Sequence, residues 1–164
     1  MRSPAPPDFN TNSNLMSHIR HMGFTPCRMD PEFQVSIPPA WRPGYGEPLF
    51  LLMSKKHAMP ALKAFTRAAL NVRMEEIRGS DMTETEKCIE LDSLVVTLGC
   101  EICLNEQGKL PVPKDLCESA GIAAGSEAIL AGRGNYFEIW SKTNFDVVLA
   151  IETGWKGDED LNVF

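Results

Sequence analysis

Apolar positions change period several times between residues 24 and 151, from strand-like alternation to helical three-and-four spacing, and the changes come twice in the same order. Strands are predicted near 24–28 and 99–104, each leading through a polar turn into a short strand at 34–37 or 109–112. The segments Ile37–Trp41 and Val112–Leu116 then read as helix starts, because proline fits a first helical turn, where its missing N–H is not needed. The second of these helices runs to about Ala120, with Gly121 as its stop, whereas Pro43-Gly44 cuts the first short. Another strand is predicted near 48–53. Its later counterpart is a hairpin, "EAILAG" and "YFEIW" about an "RGN" turn, in which Gly and Asn supply the backbone angles of a tight turn.

The segments 59–78 and 81–99 separate the copies. In the first, Leu62, Phe65, Ala69 and Val72 in an Ala-rich stretch predict one continuous helix. In the second, Thr83 and Glu86 form a capping box, Cys88, Leu91, Val95 and Leu98 share a stripe, and Gly99 ends the element. A last helix is expected from Lys142 to about Ile151. Prolines 111 and 113 interrupt the short strand of the second copy. Pro113 ends it by starting a helix, and Pro111 must lie where no ladder partner needs its N–H.

Laid over each other, residues 30–41 match 105–116 at an offset of 75, so that Val35 falls on Leu110 and Pro38 on Pro113. Farther on, 46–54 match 126–134 at an offset of 80, which places Phe65 on Phe145. The expected organisation is an N-terminal arm (1–22), a first repeat with its helix (23–80), a helix with the second repeat (81–155) and an acidic tail (156–164). The fold class is α+β.

Charge changes this picture more than composition does. The chain of 164 residues carries a net charge of −6, but residues 1–80 hold 10 Lys and Arg against 6 Asp and Glu, and residues 81–164 hold 6 against 16. Such asymmetry predicts that one half faces an anion, or that halves or subunits attract one another. No apolar run reaches membrane-spanning length, and the start of the chain lacks the apolar stretch of a signal peptide, which reads as an intracellular, cytoplasmic protein. Five cysteines (27, 88, 100, 103 and 117) in that setting read as reduced thiols.

Candidate chemistry is sparse. Cys100-x-x-Cys103 lies in a predicted strand rather than a tight turn, so the cysteines read as buried hydrophobes and no metal is expected. His18, His21 and His57 are scattered, and no catalytic triad, carboxylate pair or phosphate loop is present in the pattern. The expectation is a non-enzyme without cofactor. Lys63, Arg67 and Arg78 recur along the segment 59–78 as a solvated face, pairing with Glu84, Glu86 or Glu90, or as a phosphate-tracking row. Trp140 and Tyr136 read as packing residues.

The stretch 116–145, "LCESAGIAAGSEAILAGRGNYFEIWSKTNF", resembles the C-terminal signature of the MraZ family within the AbrB-like bacterial regulators. "CLNEQGKLPVP" (103–113) is similar to that family's turn motif, and "MDPEFQVSIPPAWR" (29–42) is a weaker copy of it. The resemblance spans about residues 24–152 and implies tandem swapped-hairpin AbrB-like units forming a split β-barrel, with subunits closed into a ring. It also implies a transcriptional regulator at the nucleoid that binds direct repeats of double-stranded promoter DNA upstream of the division and cell-wall gene cluster.

In that family an Asp-x-x-x-Arg turn in each copy presents the basic side chain to DNA. Here the first copy has Asp30 and Gln34, and the second has Asn105 and Lys109. Neither lysine nor glutamine reproduces the fork of arginine. Arg28 and Arg42 flank the first turn, whereas Glu106, Asp115 and Glu118 surround the second, so charge favours the first copy and motif retention the second. Each turn is either a DNA contact or an ordinary polar hairpin. The alternative function is an oligomeric structural or regulatory protein of the same fold that has lost DNA binding and holds a protein partner.

Overall fold

A computed structural model describes residues 21–160; the proposed arm, up to residue 20, and the end of the proposed tail, 161–164, lie outside the described residues. In chain order the elements are β1 (Phe24–Arg28), β2 (Gln34–Ser36), a 3-10 turn (Pro39–Trp41), β3 (Leu49–Lys56), β4 (Met59–Thr66), α1 (Arg67–Arg78) and α2 (Glu84–Thr97). They continue with β5 (Leu98–Ile102), β6 (Lys109–Pro111), α3 (Lys114–Ser119), β7 (Glu127–Gly132), β8 (Tyr136–Ser141) and α4 (Lys142–Asp160). The architecture is mixed α and β. Six strands make an antiparallel sheet in the order β1-β7-β8-β4-β3-β5, and β2 and β6 make a separate ribbon. No described helix is long and apolar enough to cross a membrane.

Both faces of the large sheet are covered, which is why its strands do not alternate cleanly between apolar and polar. On one face Leu49, Leu51, Leu62, Leu130, Phe137 and Ile139 meet the ribbon residues Val35 and Leu110, together with Trp41 and Cys117. On the other face α1 seats Ala69 and Leu70 against Leu52 and Phe65. There too, α4 seats Phe145 and Val148 against Ala61, Ile129 and Trp140. Each fully buried Leu or Phe stabilises the fold by about 2 kcal/mol. His21, the first described residue, is 1% exposed, exchanges backbone hydrogen bonds with Gly134 and packs against Trp41 and Phe137.

The two copies are related by a local two-fold axis that the register makes explicit. In the ribbon Val35 stands opposite Leu110, its own counterpart 75 positions on. In the sheet Lys63 stands opposite Glu138, again 75 positions on. The outer strands are exchanged: β1 of the first copy pairs with β7 of the second, Cys27 opposite Ala128, and β5 of the second pairs with β3 of the first, Ile102 opposite Leu49. Counterparts in β3 and β7 are therefore 79 apart, whereas those in β4 and β8 are 75 apart. The longer connector of the second copy is compensated by a shorter hairpin. Phe65 accordingly corresponds to Trp140, and Phe145 to Leu70, which corrects the expected match of Phe65 with Phe145.

The predicted helix over 59–78 is also corrected, because residues 59–66 are strand β4 and the helix begins at Arg67. The hairpin turn before it is His57-Ala58, with φ of 50° and 66°, a geometry for which Asn-Gly is the usual signal. Leu62 and Ala64 then face the ribbon while Ala61 and Phe65 face the helices. Thr66 ends the strand and caps α1 by accepting from Ala69 N at 3.1 Å; Ser141 does the same for Asn144 N at 3.1 Å. The Thr83–Glu86 capping box is formed, with Glu86 N donating to Thr83 Oγ1 at 3.2 Å and Thr83 N to Glu86 Oε1 at 3.3 Å. Gly121, at φ 74°, follows α3 and lets Ile122 N close back on Cys117 O. The final helix continues past the expected Ile151 to Asp160, taking in the first residues of the proposed tail.

Candidate functional site

Each short ribbon strand is entered through the same side-chain-built turn. Asp30 Oδ1 accepts the backbone N–H of Glu32 at 2.9 Å and of Gln34 at 2.8 Å. Asn105 Oδ1 accepts those of Gln107 at 2.9 Å and Lys109 at 3.0 Å. A carboxylate and an amide oxygen are interchangeable in this role, which is why Asp and Asn occupy equivalent positions. The residue before each strand is left-handed, Phe33 at φ 60° and Gly108 at φ 77°. Phe33 accepts a backbone strain of about 1–2 kcal/mol, offset by packing its ring against the main core.

The antiparallel ribbon brings the turns side by side and crosses their side chains. Lys109 of the second turn pairs with Asp30 of the first, Nζ to Oδ2 at 3.3 Å. Asn105 of the second donates from Nδ2 to Gln34 Oε1 of the first at 3.4 Å. The four residues of the two degenerate motifs form one cluster, in which each acidic or amide position holds the other copy's basic or amide position. One end is an ion pair and the other a neutral amide pair. The backbone N–H of Gln34, then the Lys109 ammonium and the N–H of Glu32, hold the Asp30 carboxyl below its ordinary value.

The two arginines lie elsewhere. Arg28 donates to Gly125 O at 2.6 Å, on the outer β1 edge, and does not join the cluster. Arg42, which flanks the first turn in sequence, crosses to the second: its Nε donates to Ile37 O at 2.8 Å, and its guanidinium lies over Gly108, in the space a side chain there would need. The second turn is therefore less acidic than its own sequence neighbours suggest. Beside it runs an open groove of about 510 Å³ whose walls include Arg42, Tyr45, Glu47, Cys103 and Glu106. Tyr45 is fully exposed between Gly44 and Gly46. An aromatic between glycines in a polar stretch was the available signal for it.

Other candidate residues are dispersed. Lys63 belongs to β4 and sits over the Tyr136 ring, Arg67 pairs with Glu101 at 3.6 Å, and Arg78 pairs with Glu75, so the three do not make one helical face. None of these partners is the Glu84, Glu86 or Glu90 expected from sequence. Trp140 is buried in the core and Tyr136 packs on Phe65. Trp140 also donates to buried Glu138 at 3.0 Å, which Arg133 pairs at 2.7 Å. Among the described residues no group of His, Cys, Asp or Glu is arranged to hold a metal ion. Cys27 and Cys117 are free thiols that burial pushes up to about 11, the chemistry of packing rather than of nucleophiles.

No family model matches the chain. Among curated proteins it is similar to the transcriptional regulator MraZ of Dehalococcoides mccartyi strain BAV1, 26% identical over 73% of this chain and 80% of the relative. It is also similar to the MraZ regulators of Mycoplasmopsis synoviae, 23% identical over 73% of this chain and 80% of the relative, and Rickettsia canadensis, 26% identical over 74% and 80%. Several relatives of one name thus align along most of the repeated region, at an identity that leaves room for the altered turn motifs. These similarities, low in identity but long in extent, are those of a divergent relative of the MraZ regulators.

Proposed function

We propose that the chain is a transcriptional regulator that binds double-stranded promoter DNA through the paired turns holding Asp30, Gln34, Asn105 and Lys109. The observation that carries this reading is the cross-copy cluster itself: Lys109–Asp30 and Asn105–Gln34 join the two turns of one protomer into a single polar surface. The relatives are named transcriptional regulators, which supports a regulatory role rather than an enzymatic one. In this proposal the tandem units are AbrB-like swapped hairpins, consistent with the exchange of β1 and β5 between copies. Protomers assemble head to tail into a ring at the nucleoid, and the ring engages direct repeats upstream of the division and cell-wall genes. Multivalency is what makes such a surface sufficient. One protomer offers little net charge at its cluster, because Lys109 is neutralised by Asp30, but several clusters on one rigid body raise each other's effective concentration.

A second reading draws on that same neutralisation. With Lys109 paired and Glu106, Asp115 and Glu118 nearby in sequence, the surface also suits a protein partner. Salt dependence separates the two. Fluorescence anisotropy with promoter DNA bearing the repeats is expected to show binding at low salt that weakens steeply as salt rises, because each phosphate contact releases counterions. Absence of binding at low salt by folded oligomer would favour the protein partner.

A further inference from the structure

Resting on the reading of the turns as a DNA contact, we infer that Gln34 reads adenine, so that the two ends of the pseudo-symmetric cluster select different bases. The orientation of two side-chain amides comes first. Asn105 Oδ1 is committed to the N–H groups of Gln107 and Lys109, which makes Nδ2 the group that faces Gln34. A donor facing Gln34 at 3.4 Å makes Oε1 the atom that accepts it, which leaves one lone pair on Oε1. Gln34 Nε2 has no hydrogen-bond partner among the described residues. Gln34 therefore presents an acceptor and a donor side by side.

Adenine presents the complement in the major groove, an N6–H donor beside the N7 acceptor. Guanine presents two acceptors there, O6 and N7, and one of them would face Gln34 Oε1. The related end of the cluster differs in kind. Lys109 has donors only, and it sits 3.3 Å from Asp30 Oδ2. It suits guanine acceptors or a phosphate, and cannot accept from adenine N6. The fold is two-fold but its chemistry is not, so the DNA element met by one protomer is not self-complementary.

The test is selection of bound duplexes from a random DNA library by the full chain, by Gln34→Lys and by Gln34→Ala, followed by affinity measurement on the enriched element. Wild type is expected to enrich an A·T pair at one position. Replacing that adenine with guanine should weaken binding roughly ten- to a hundredfold. Gln34→Lys should move the preference at that position alone to G·C, and Gln34→Ala should erase it while the remaining positions persist. The same base preference in all three proteins overturns the role of Gln34 and leaves DNA binding through the turns standing. Failure of the folded wild-type protein to enrich any duplex overturns both.

Discussion

The two turns of the ribbon share a backbone and differ in what they end on. In both, a side-chain oxygen ties down two N–H groups and the next strand begins four residues later. The first turn then uses Phe33 at its left-handed position and supplies an acid and an amide; the second uses Gly108 and supplies an amide and an amine. Backbone geometry is preserved by any residue able to make the Asx hydrogen bonds, whereas charge follows the individual residue. The comparison separates what the fold requires of this site from what its ligand requires.

The largest expected effect lies beneath the turns, where the copies should behave alike. Leu110 and Val35 face each other on the axis and both are 0% exposed. Leu110→Ala should cost about 3 kcal/mol, and Val35→Ala somewhat less because it removes fewer carbons. Thermal and denaturant unfolding measure both; a near-neutral result for either would break the shared-core side of the comparison. Next comes the left-handed position. Gly108→Ala brings a Cβ against the Arg42 guanidinium at φ 77° and should destabilise by about 1–2 kcal/mol. Denaturant unfolding that shows no loss would mean that Arg42 and the turn relax freely.

The smallest effect is electrostatic and belongs to one end only. The Asp30 carboxyl is held below its ordinary value, first by the Gln34 N–H and then by Lys109, so its folded value lies below its unfolded one. Its contribution to stability is full above the ordinary Asp range and is lost as pH falls through the lowered folded value. Carboxyl titration by NMR should find Asp30 below an ordinary Asp, and Lys109→Ala should raise it without restoring it fully, because the backbone donors remain. An unchanged titration in that variant would remove the ion pair from the account.

Much of the local structure was legible in the chain. The strand–turn–strand of 127–140, the Thr83–Glu86 box, the prolines at helix starts and the Gly121 stop each carry a short-range physical signal, and each formed. The segment 59–66 was not legible as a strand: it is rich in good helix formers, apolar on both faces of a doubly covered sheet, and preceded by a tight turn without Asn or Gly. The site was legible as a set of residues, and its wiring was not. Asp30 and Lys109, Gln34 and Asn105, and Arg42 and Gly108 meet only because the ribbon pairs strands from different copies. Within its own turn Lys109 has Asn105 where a carboxylate would stand; across the turns, Asp30 supplies one.

The measurement that tests the account most directly is the affinity of the combined variant Gln34→Ala, Lys109→Ala for repeat-bearing promoter DNA at low salt, with particle size followed by light scattering. Affinity is expected to fall by about tenfold or more, the scale of one good base contact, with particle size unchanged. Wild-type affinity in a particle of unchanged size would contradict it, and would place any DNA contact on another surface of the chain.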